Sequence, residues 1–391
     1  MSATTAPAGR LVDHFQAGLD APICLTWELT YACNLACVHC LSSSGRRDPR
    51  ELSTSECMCI VDELQRMQVF YVNIGGGEPT VRRDFWELLD YATAHDVGVK
   101  FSTNGSRITQ EVARRLAASD YVDVQISIDG ASAEVNDAVR GTGSFETAIR
   151  AMERLAGAGM HNFKVSVVVT RENACQLDAF KAIADRYGAQ LRLTRLRPSG
   201  RGADVWHELH PTGGQQRQLY DWLREQGEDV LTGDSFFHLA AYGDPLPGLN
   251  LCGAGRVVCL IDPVGDVYAC PFAIHDAFLA GNVRDPGGFE KVWPLAATTS
   301  STGFEANELR PIAVPRAAAA RATATSPSGL TACTPVGEMI TGMPIVCPIT
   351  VVVRSRSLGR SATWGAKPSS PNASTLSLSV RPCSVPAQIA M

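Results

Sequence analysis

Residues 22–40 read PICLTWELTYACNLACVHC and join an apolar, strand-like stretch to three cysteines that lie within eight residues. A structural zinc site normally takes its fourth ligand from a second Cys-x2-Cys or His pair. Three thiolates from one loop suit a [4Fe-4S] cluster in which one iron stays open to bind a substrate or cofactor. The spacing of Cys33, Cys37 and Cys40 therefore favours such a cluster.

Composition describes a globular chain and excludes several classes of partner. The 391 residues are 45% hydrophobic, enough for a large core in one or two domains. A net charge of -5 gives no general attraction to nucleic acid or to anionic lipid. Neither a signal peptide nor a membrane-spanning run is visible, so we expect a cytoplasmic protein. Its 13 cysteines should then stay reduced, and clustered ones are expected to bind metal.

Apolar or β-branched runs alternate with amphipathic helical stretches from about residue 22 to residue 196. Six strands are predicted, within residues 23–30, 69–76, 97–105, 121–130, 163–170 and 189–200. Six βα units in series imply a parallel sheet with right-handed crossovers. Periodicity alone leaves open whether the sheet closes toward a barrel or stays open and doubly wound.

Unusual residues follow the first four strands directly. These stretches are the cysteine loop, GGGEP (75–79), STNG (102–105) and SIDG (127–130). Chemistry gathers at the carboxyl ends of parallel strands in both barrels and open sheets. The four loops are therefore expected to form one site.

The chain changes character twice after residue 200. Residues 201–235 read as a polar linker with one helix, and residues 251–273 as a small hairpin region with further cysteines and a DPVGD turn. After about residue 311, Glu338 is the only acid and Trp364 the only aromatic residue. We expect most of this tail to be disordered.

The cysteine loop and its neighbours resemble the radical S-adenosylmethionine (SAM) superfamily, whose signature is Cys-x3-Cys-x2-Cys after the first strand of a partial (βα)6, TIM-like barrel. The resemblance implies that Cys33, Cys37 and Cys40 bind a [4Fe-4S] cluster whose open iron chelates SAM. An electron from the cluster then cleaves SAM to a radical that abstracts hydrogen. His39 departs from the family, which usually has an aromatic residue before the last cysteine.

The same resemblance, together with simple chemistry, predicts the SAM-binding residues. Glycines permit close approach of backbone to a ligand, a carboxylate can accept from an ammonium group, and an arginine fork suits a carboxylate. The stretch from Gly76 to Pro79 is expected to hold the methionine amino group. The predicted cofactor-binding residues are Gly76, Gly77, Glu78, Pro79, Asn104, Ser127, Asp129 and Arg140. No side chain identifies itself as a catalytic acid or base.

Cys252, Cys259 and Cys270 resemble the start of the SPASM extension, which holds auxiliary iron-sulfur clusters in radical SAM peptide-modifying enzymes. A single structural zinc site is the alternative for these three residues. The remainder of the SPASM cysteine pattern is absent from the tail, so an auxiliary cluster lacks an evident fourth ligand. We hypothesise that the tail is out of frame from around residues 300–315, because Arg-Ala and Thr-Ala pairs there can hide a cysteine codon.

Within that group the chain most resembles the mycofactocin radical SAM maturases, over roughly residues 20–300. The resemblance implies oxidative decarboxylation of a C-terminal tyrosine and a Val-Tyr carbon-carbon crosslink in a small ribosomally made precursor peptide. The implied partners are that peptide, an external electron donor and a separate leader-binding chaperone. The chaperone is expected because about 20 residues precede the first strand, too few for a peptide-recognition domain.

We predict four regions along the chain. They are an N-terminal extension (1–20), a radical SAM partial barrel (21–235), a truncated SPASM-like region (236–310) and an atypical tail (311–391). Three alternatives stay open at this point. Another SPASM enzyme could form a thioether or a quinone, a non-enzymatic iron-sulfur or zinc protein could use the same cysteines, or the barrel could bind SAM without completing turnover.

Overall fold

The computed structural model describes residues 19–307, apart from positions 70, 162, 233–235, 245 and 247–252. Within these residues the strands form one sheet in the order β10-β9-β8-β1-β2-β3-β4-β5-β6-β7. The strands are β1 (Cys24–Thr30), β2 (Tyr71–Gly76), β3 (Gly98–Thr103), β4 (Val122–Ser127), β5 (Lys164–Val169), β6 (Gln190–Arg195), β7 (Leu231–Thr232), β8 (Val258–Ile261), β9 (Asp266–Tyr268) and β10 (Leu279–Asn282). Neighbouring strands from β8 through β1 to β7 run parallel, and β9 and β10 are antiparallel additions.

Helices connect the parallel strands. They are α1 (Thr54–Arg66), α2 (Phe85–Ala94), α3 (Gln110–Ala117), α4 (Ala133–Arg140), α5 (Ser144–Gly157), α6 (Leu177–Arg186), α7 (Arg201–Asp204), α8 (Trp206–Leu209), α9 (Gly213–Gln226) and α10 (Gly288–Asn307). Short 3-10 turns lie at Pro79–Val81, Gly227–Asp229, Phe237–Tyr242 and Asp276–Phe278. Capping chemistry explains how α1 begins, since Ser53 and Glu56 satisfy each other's backbone N-H groups in a capping box.

Apolar and polar side chains alternate along the strands, so the sheet has one apolar face and one polar face. Leu25, Trp27 and Leu29 of β1 are at most 2% exposed and pack in the main hydrophobic core, whereas Glu28 faces the other way. The core therefore lies between the sheet and its helices. The opposite face of the sheet is the interior of the partial barrel.

All six predicted strands are present and begin within two residues of their expected starts, although β4 and β6 end three and five residues earlier than expected. The parallel sheet of the predicted fold class is confirmed. The predicted hairpin is also present as β8 and β9, joined by the turn at Asp262–Asp266. However, β8 pairs in parallel with β1, so the hairpin region extends the barrel sheet. The predicted tail, residues 311–391, lies outside the described residues.

Four helices were not predicted: α4, the short α7 and α8, and α10. Two glycines and Pro294 argue against a helix at residues 288–307 by propensity. Burial decides otherwise, because Phe289, Val292, Trp293 and Ala296 recur at helical spacing and each is at most 3% exposed. No helix in the described part of the chain is both long enough and apolar enough to cross a bilayer.

Candidate functional site

The three motif cysteines lie on the loop that follows β1. Cys33, Cys37 and Cys40 are free thiols and all three are partly buried. Burial raises the pKa of the Cys33 and Cys37 thiols, and the nearby positive charge of Arg140 opposes the rise at Cys37. The thiols thus lie at the carboxyl end of β1, open enough to accept a ligand.

Backbone contacts close this loop and hold it against the barrel. The N-H of Cys33 donates to the carbonyl of Gly45 at 3.0 Å, and the N-H of Gly45 donates to Tyr31 at 2.8 Å. The N-H of Val38 donates to the carbonyl of Val139, next to Arg140, at 3.0 Å. The loop is therefore fixed at its base and also to the end of α4.

The glycine motif after β2 packs directly on the cysteine loop. The N-H of Gly77 donates to Thr30 at 2.7 Å, and the N-H of Glu78 donates to Ala32 at 2.9 Å. A Cβ on Gly77 would overlap the carbonyl oxygen of Ala32, so only glycine fits there. This contact places the backbone of Gly76, Gly77 and Pro79 beside the thiols.

Glu78 has a structural role that the sequence did not predict. It is 1% exposed, and its carboxylate accepts from the Thr103 hydroxyl at 2.7 Å, from the N-H of Asn104 at 2.7 Å and from Thr80. Burial raises its pKa, and these hydrogen bonds oppose the rise. The carboxylate ties the loops after β2 and β3 together, and whether it also accepts from a ligand ammonium stays a prediction.

Asn104 links the loop after β3 to the cysteine loop. Its side-chain amide donates to Asn34 Oδ1 at 2.9 Å, and its Oδ1 accepts from the N-H of Ser106 at 2.9 Å. Asn34 lies between the first two motif cysteines. The structure thus brings Asn104 to the site, as the loop order predicted.

Asp129 is the centre of a buried polar network at the end of β4. It is 0% exposed, and its Oδ2 contacts His39 Nε2 at 2.7 Å and accepts from Arg140 Nε at 2.6 Å. Its Oδ1 accepts from the N-H of Val168 on β5 at 2.8 Å. Burial alone would raise the pKa of Asp129, but Arg140 and His39 hold it well below its usual range. Asp129 is therefore an anion that joins the cysteine loop, α4 and β5.

Arg140 and Ser127 complete the predicted set. Arg140 ends α4, its side chain is 11% exposed, and its charge lies near the Cys37 and Cys40 thiols. Ser127 is the last residue of β4 and is partly exposed on the interior face. Both lie at the same end of the sheet as the cysteine loop.

This donor set fits a [4Fe-4S] cluster with one open iron. The loop offers three thiols and a neighbouring guanidinium, which stabilises thiolates. Within residues 19–307 as described, no three His, Cys, Asp or Glu side chains converge on one point as a mononuclear metal would need. A cubane has another requirement, because each of its protein thiolates binds a separate iron.

The second cysteine group, Cys252, Cys259 and Cys270, does not lie in one shared environment among the described residues. Cys252 lies outside the described residues. Cys259 is 0% exposed in the main core on β8, whereas Cys270 is 5% exposed and packs with Ala254 in a small separate cluster. The structure therefore places the two described thiols in different surroundings, and their assignment as metal ligands stays a prediction.

Sequence reasoning missed Arg201, which clamps the cysteine loop from the far side of the barrel. Its Nε donates to the carbonyl of Cys37 at 2.8 Å, a terminal nitrogen donates to Ser44 at 2.9 Å, and its backbone N-H donates to Cys40 at 3.0 Å. Gly200 has a φ of 53° and approaches the Cys40 and Leu41 carbonyls closely. The signal available was RPSGRG (197–202), of which RPSG was assigned to the sixth predicted strand and Arg201 to the linker that follows it.

Comparison with known proteins agrees with this geometry. The family model of the radical SAM superfamily matches residues 27–183, from β1 into α6. A mycofactocin maturase, MftC, from Mycolicibacterium smegmatis is 77% identical over 289 residues, which cover 73% of this chain and 74% of the relative. The MftC of Mycobacterium ulcerans is 76% identical over 294 residues, 75% of this chain and 80% of the relative.

Solved structures show the same fold at low identity. Streptococcus suis SuiB bound to S-adenosylmethionine has a TM-score of 0.60 at 18% identity, over 75% of this chain and 70% of that one. The peptide-bound anSMEcpe has a TM-score of 0.55 at 18% identity, over 71% of this chain and 82% of that one. These likenesses support the partial-barrel architecture.

The fold and the cysteine loop define a radical SAM enzyme, and residues 27–183 match the radical SAM superfamily. SAM and a [4Fe-4S] cluster are the cofactors that this match brings. Identity of 75 to 77% over about three quarters of the chain narrows the assignment further. Within the superfamily, the chain belongs to the mycofactocin maturase family. The reading as a non-enzymatic iron-sulfur or zinc protein is thereby overturned.

Proposed function

We propose that the protein matures a precursor peptide that ends in Val-Tyr, by oxidative decarboxylation of the tyrosine followed by a carbon-carbon crosslink between the two remnants. The high identity to mycofactocin maturases is the observation that carries this proposal. The solved structure of SuiB bound to its precursor peptide SuiA has the same fold and is consistent with peptide as the substrate class. Residues 21–235 would form the catalytic barrel, and residues 236–310 the SPASM-like region.

Three side chains would hold the cluster, and the loops after β2, β3 and β4 would hold SAM. Cys33, Cys37 and Cys40 are the proposed iron ligands. When bound, the cluster and SAM supply the radical that abstracts hydrogen from the peptide. The SAM contacts proposed are Gly76, Gly77, Glu78, Pro79, Asn104, Ser127, Asp129 and Arg140.

Asp129 supports the site by positioning its neighbours. Its contacts to His39 and Arg140 fix the position of the cysteine loop relative to the guanidinium. Among the described residues, Arg140 donates a side-chain hydrogen bond only through Nε, to Asp129. Its terminal guanidinium nitrogens could therefore pair with a ligand carboxylate. In this arrangement Asp129 holds Arg140 and His39 in place, in addition to its own proposed contact with SAM.

The auxiliary cluster is a separate proposal. Cys252, Cys259 and Cys270 are its candidate ligands, and Cys259 is the one that the structure supports least because it packs in the main core. The out-of-frame origin of the tail remains our hypothesis. About a quarter of this chain and of the Mycolicibacterium relative lie outside their alignment, which is consistent with it. Sequencing the gene decides this, because a neighbouring frame without a cysteine-rich motif would overturn the hypothesis.

Reconstitution without oxygen tests the function. The holoenzyme would receive SAM, a chemical reductant and a synthetic precursor peptide, with a peptide that lacks the terminal tyrosine as the control. We expect 5'-deoxyadenosine together with loss of carbon dioxide from the peptide, both dependent on the tyrosine. SAM cleavage with a thioether or another mass change would show a different peptide-modifying enzyme. A separate leader-binding chaperone and an external electron donor are the further partners proposed, and adding them should raise the rate.

A further inference from the structure

A row of residues crosses the interior face of the sheet beside the proposed SAM loop. Glu28 of β1 pairs with Gly75 of β2, and Ser102 of β3 pairs with Gln125 of β4. Ile74 of β2 pairs with Phe101 of β3, and Gly75 and Ser102 are the next residues of these two strands. The residues that alternate with this row pack in the main core, so the row faces the barrel interior: Trp27, Leu29, Ile74, Phe101, Val124 and Ile126.

Gly75 differs from the two glycines that follow it. A Cβ on Gly76 or Gly77 would overlap the backbone of the β1 end or the cysteine loop, so the fold itself requires glycine there. Gly75 has no left-handed φ, and a Cβ there would meet no atom within 4 Å. Nothing in the described protein requires glycine at this position, and its absent side chain leaves room in the interior.

Gln125 carries a polar atom without a partner in that interior. It is 0% exposed, its amide nitrogen donates to Ser102 Oγ at 3.0 Å, and its Oε1 has no hydrogen-bond partner among the described residues. Turning the amide around exchanges the two atoms and still leaves one of them unpaired. A buried polar group that is left unpaired destabilises the empty site, so a ligand that pairs with it gains affinity.

Glu28 forms the other end of the row. It is 5% exposed, and the Ser42 hydroxyl is its one recorded hydrogen-bond donor among the described residues. Burial raises its pKa to about 7, the Ser42 hydrogen bond opposes the rise, and Asp262 of the hairpin adds to it. A carboxyl group in this state can both donate and accept a hydrogen bond near neutral pH.

We propose that Gly75, Ser102, Gln125 and Glu28 form a substrate pocket that receives the hydroxyl-bearing aromatic side chain at the end of the precursor peptide. The space at Gly75 admits the ring, the Gln125 amide and Ser102 hydrogen-bond the phenol hydroxyl, and Glu28 forms the polar wall. The identity of the ligand rests on the proposed function. The pocket itself rests on the open space, the unpaired amide and the register of the strands.

This pocket lies next to the proposed SAM loop and is distinct from it. Gly75 is followed by Gly76 and Gly77 in the chain, so a side chain held at Gly75 would lie close to the cofactor loop. A site with a buried polar group strongly rejects an analogue that lacks the matching hydroxyl, because the amide is then left unpaired. Selectivity for tyrosine over phenylalanine is therefore the property that the pocket predicts.

Equilibrium binding of two dipeptides to the SAM-loaded holoenzyme tests the pocket without turnover. We expect Val-Tyr to bind at least about tenfold more tightly than Val-Phe, and Gln125→Leu to remove most of this difference. Gly75→Val should weaken both dipeptides at least about tenfold while SAM affinity stays within about twofold. Gly157→Ala at the end of α5, where a Cβ also meets no atom within 4 Å, should change nothing. Iron per chain reports folding of each variant, and Gly75→Ala replaces Gly75→Val where iron is lost.

Four outcomes would overturn the pocket. They are wild-type enzyme that binds neither dipeptide, full selectivity in Gln125→Leu, unchanged dipeptide binding in both Gly75 variants, and loss of SAM binding in both Gly75 variants. Full selectivity in Gln125→Leu would mean that an ordered water pairs with Gln125. Loss of SAM binding in both Gly75 variants would mean that SAM occupies the space at Gly75. Failure of the proposed function looks different, since the dipeptides would still bind selectively while the full precursor is not decarboxylated.

Discussion

The loops at the carboxyl ends of β1–β4 and the hairpin of β8 and β9 both carry cysteines that sequence motifs assign to iron-sulfur clusters, yet the structure treats them differently. In the barrel loops, every predicted residue lies at one end of the sheet, and side-chain hydrogen bonds of Glu78, Asn104 and Asp129 join the loops to one another. In the hairpin, Cys259 lies in the main core and Cys270 in a separate small cluster.

The difference shows what a cysteine motif requires from its surroundings. The backbone of the cysteine loop is held by contacts with Arg201, Gly45 and Val139, and Cys37 and Cys40 lie near the charge of Arg140. The hairpin instead contributes a strand to the sheet and buries its described thiols among apolar residues. Spacing alone predicted ligands in both regions. The three barrel thiols lie on one loop, whereas Cys259 and Cys270 lie in different clusters.

Removing the barrel thiols should have the largest effect. We expect the triple variant Cys33→Ala, Cys37→Ala and Cys40→Ala to lose about four irons per chain and all SAM cleavage. Iron and sulfide counts after anaerobic reconstitution measure this. Cys175→Ala is the matched control, because Cys175 is exposed and lies outside the site. About eight irons in the wild type, with about four left in the triple variant, would show that the hairpin also holds a cluster.

Breaking the Asp129 network should cost several kcal/mol. Asp129→Asn leaves Arg140 and His39 without their buried carboxylate, and removal of one partner from a buried pair destabilises by about 3–5 kcal/mol. Denaturant unfolding of the apoprotein measures the loss. Asp185→Asn breaks the exposed pair with Lys181 on α6 and should cost less than about 1 kcal/mol. Equal stability of the two variants would mean that the network does not hold the barrel loops together.

Much of this region was predictable from sequence, for a physical reason. Strand periodicity places the ends of parallel strands together, so Cys33, Glu78, Asn104 and Asp129 could be assigned to one site before any contact was known. The partners of these residues were not predictable. His39 was noted as a departure from the family, and its contact with Asp129 depends on how the loop after β1 folds back over β4.

The hairpin region was less predictable because its structure depends on contacts distant in sequence. Pairing of β8 with β1 joins segments more than 200 residues apart, and α10 forms because its apolar residues are buried despite two glycines and Pro294. Local sequence patterns predict neither the pairing of β8 with β1 nor the helix α10. The sequence indicated strands and cysteines there, and tertiary packing decided which side chains face the core.

Glu28 links the two regions, and its ionisation should make stability depend on pH. Its pKa is raised from 4.5 to about 7 by burial, with the Ser42 hydrogen bond opposing and Asp262 adding to the rise, and Tyr31 also faces it. A carboxyl with a raised folded pKa stabilises the fold below about pH 4.5, and this contribution is lost as the pH rises through about 7.

Glu28→Gln removes that loss, so the variant should gain on the wild type as the pH rises. The difference in free energy of unfolding between variant and wild type is expected to grow by roughly 2 kcal/mol from pH 5 to pH 8. Denaturation of the apoprotein at the two pH values measures it, with Glu87→Gln on the exposed side of α2 as the control. A difference that does not change with pH would show that Glu28 does not lose its proton in this range.

Cys259→Ala gives the smallest expected effect and separates the two regions most directly. A side chain that is 0% exposed in the main core contributes packing, and deleting its one sulfur should cost on the order of 1 kcal/mol. If Cys259 is only a core residue, the Cys259→Ala variant should keep the iron content of the wild type. As a ligand of an auxiliary cluster, its loss should remove up to about four irons without further loss from the barrel site. Leu25 of β1 pairs with Cys259. Loss of stability without loss of iron would therefore mean that Cys259 packs the hairpin against the barrel core. The SPASM-like motif would then contain one cysteine that does not bind iron.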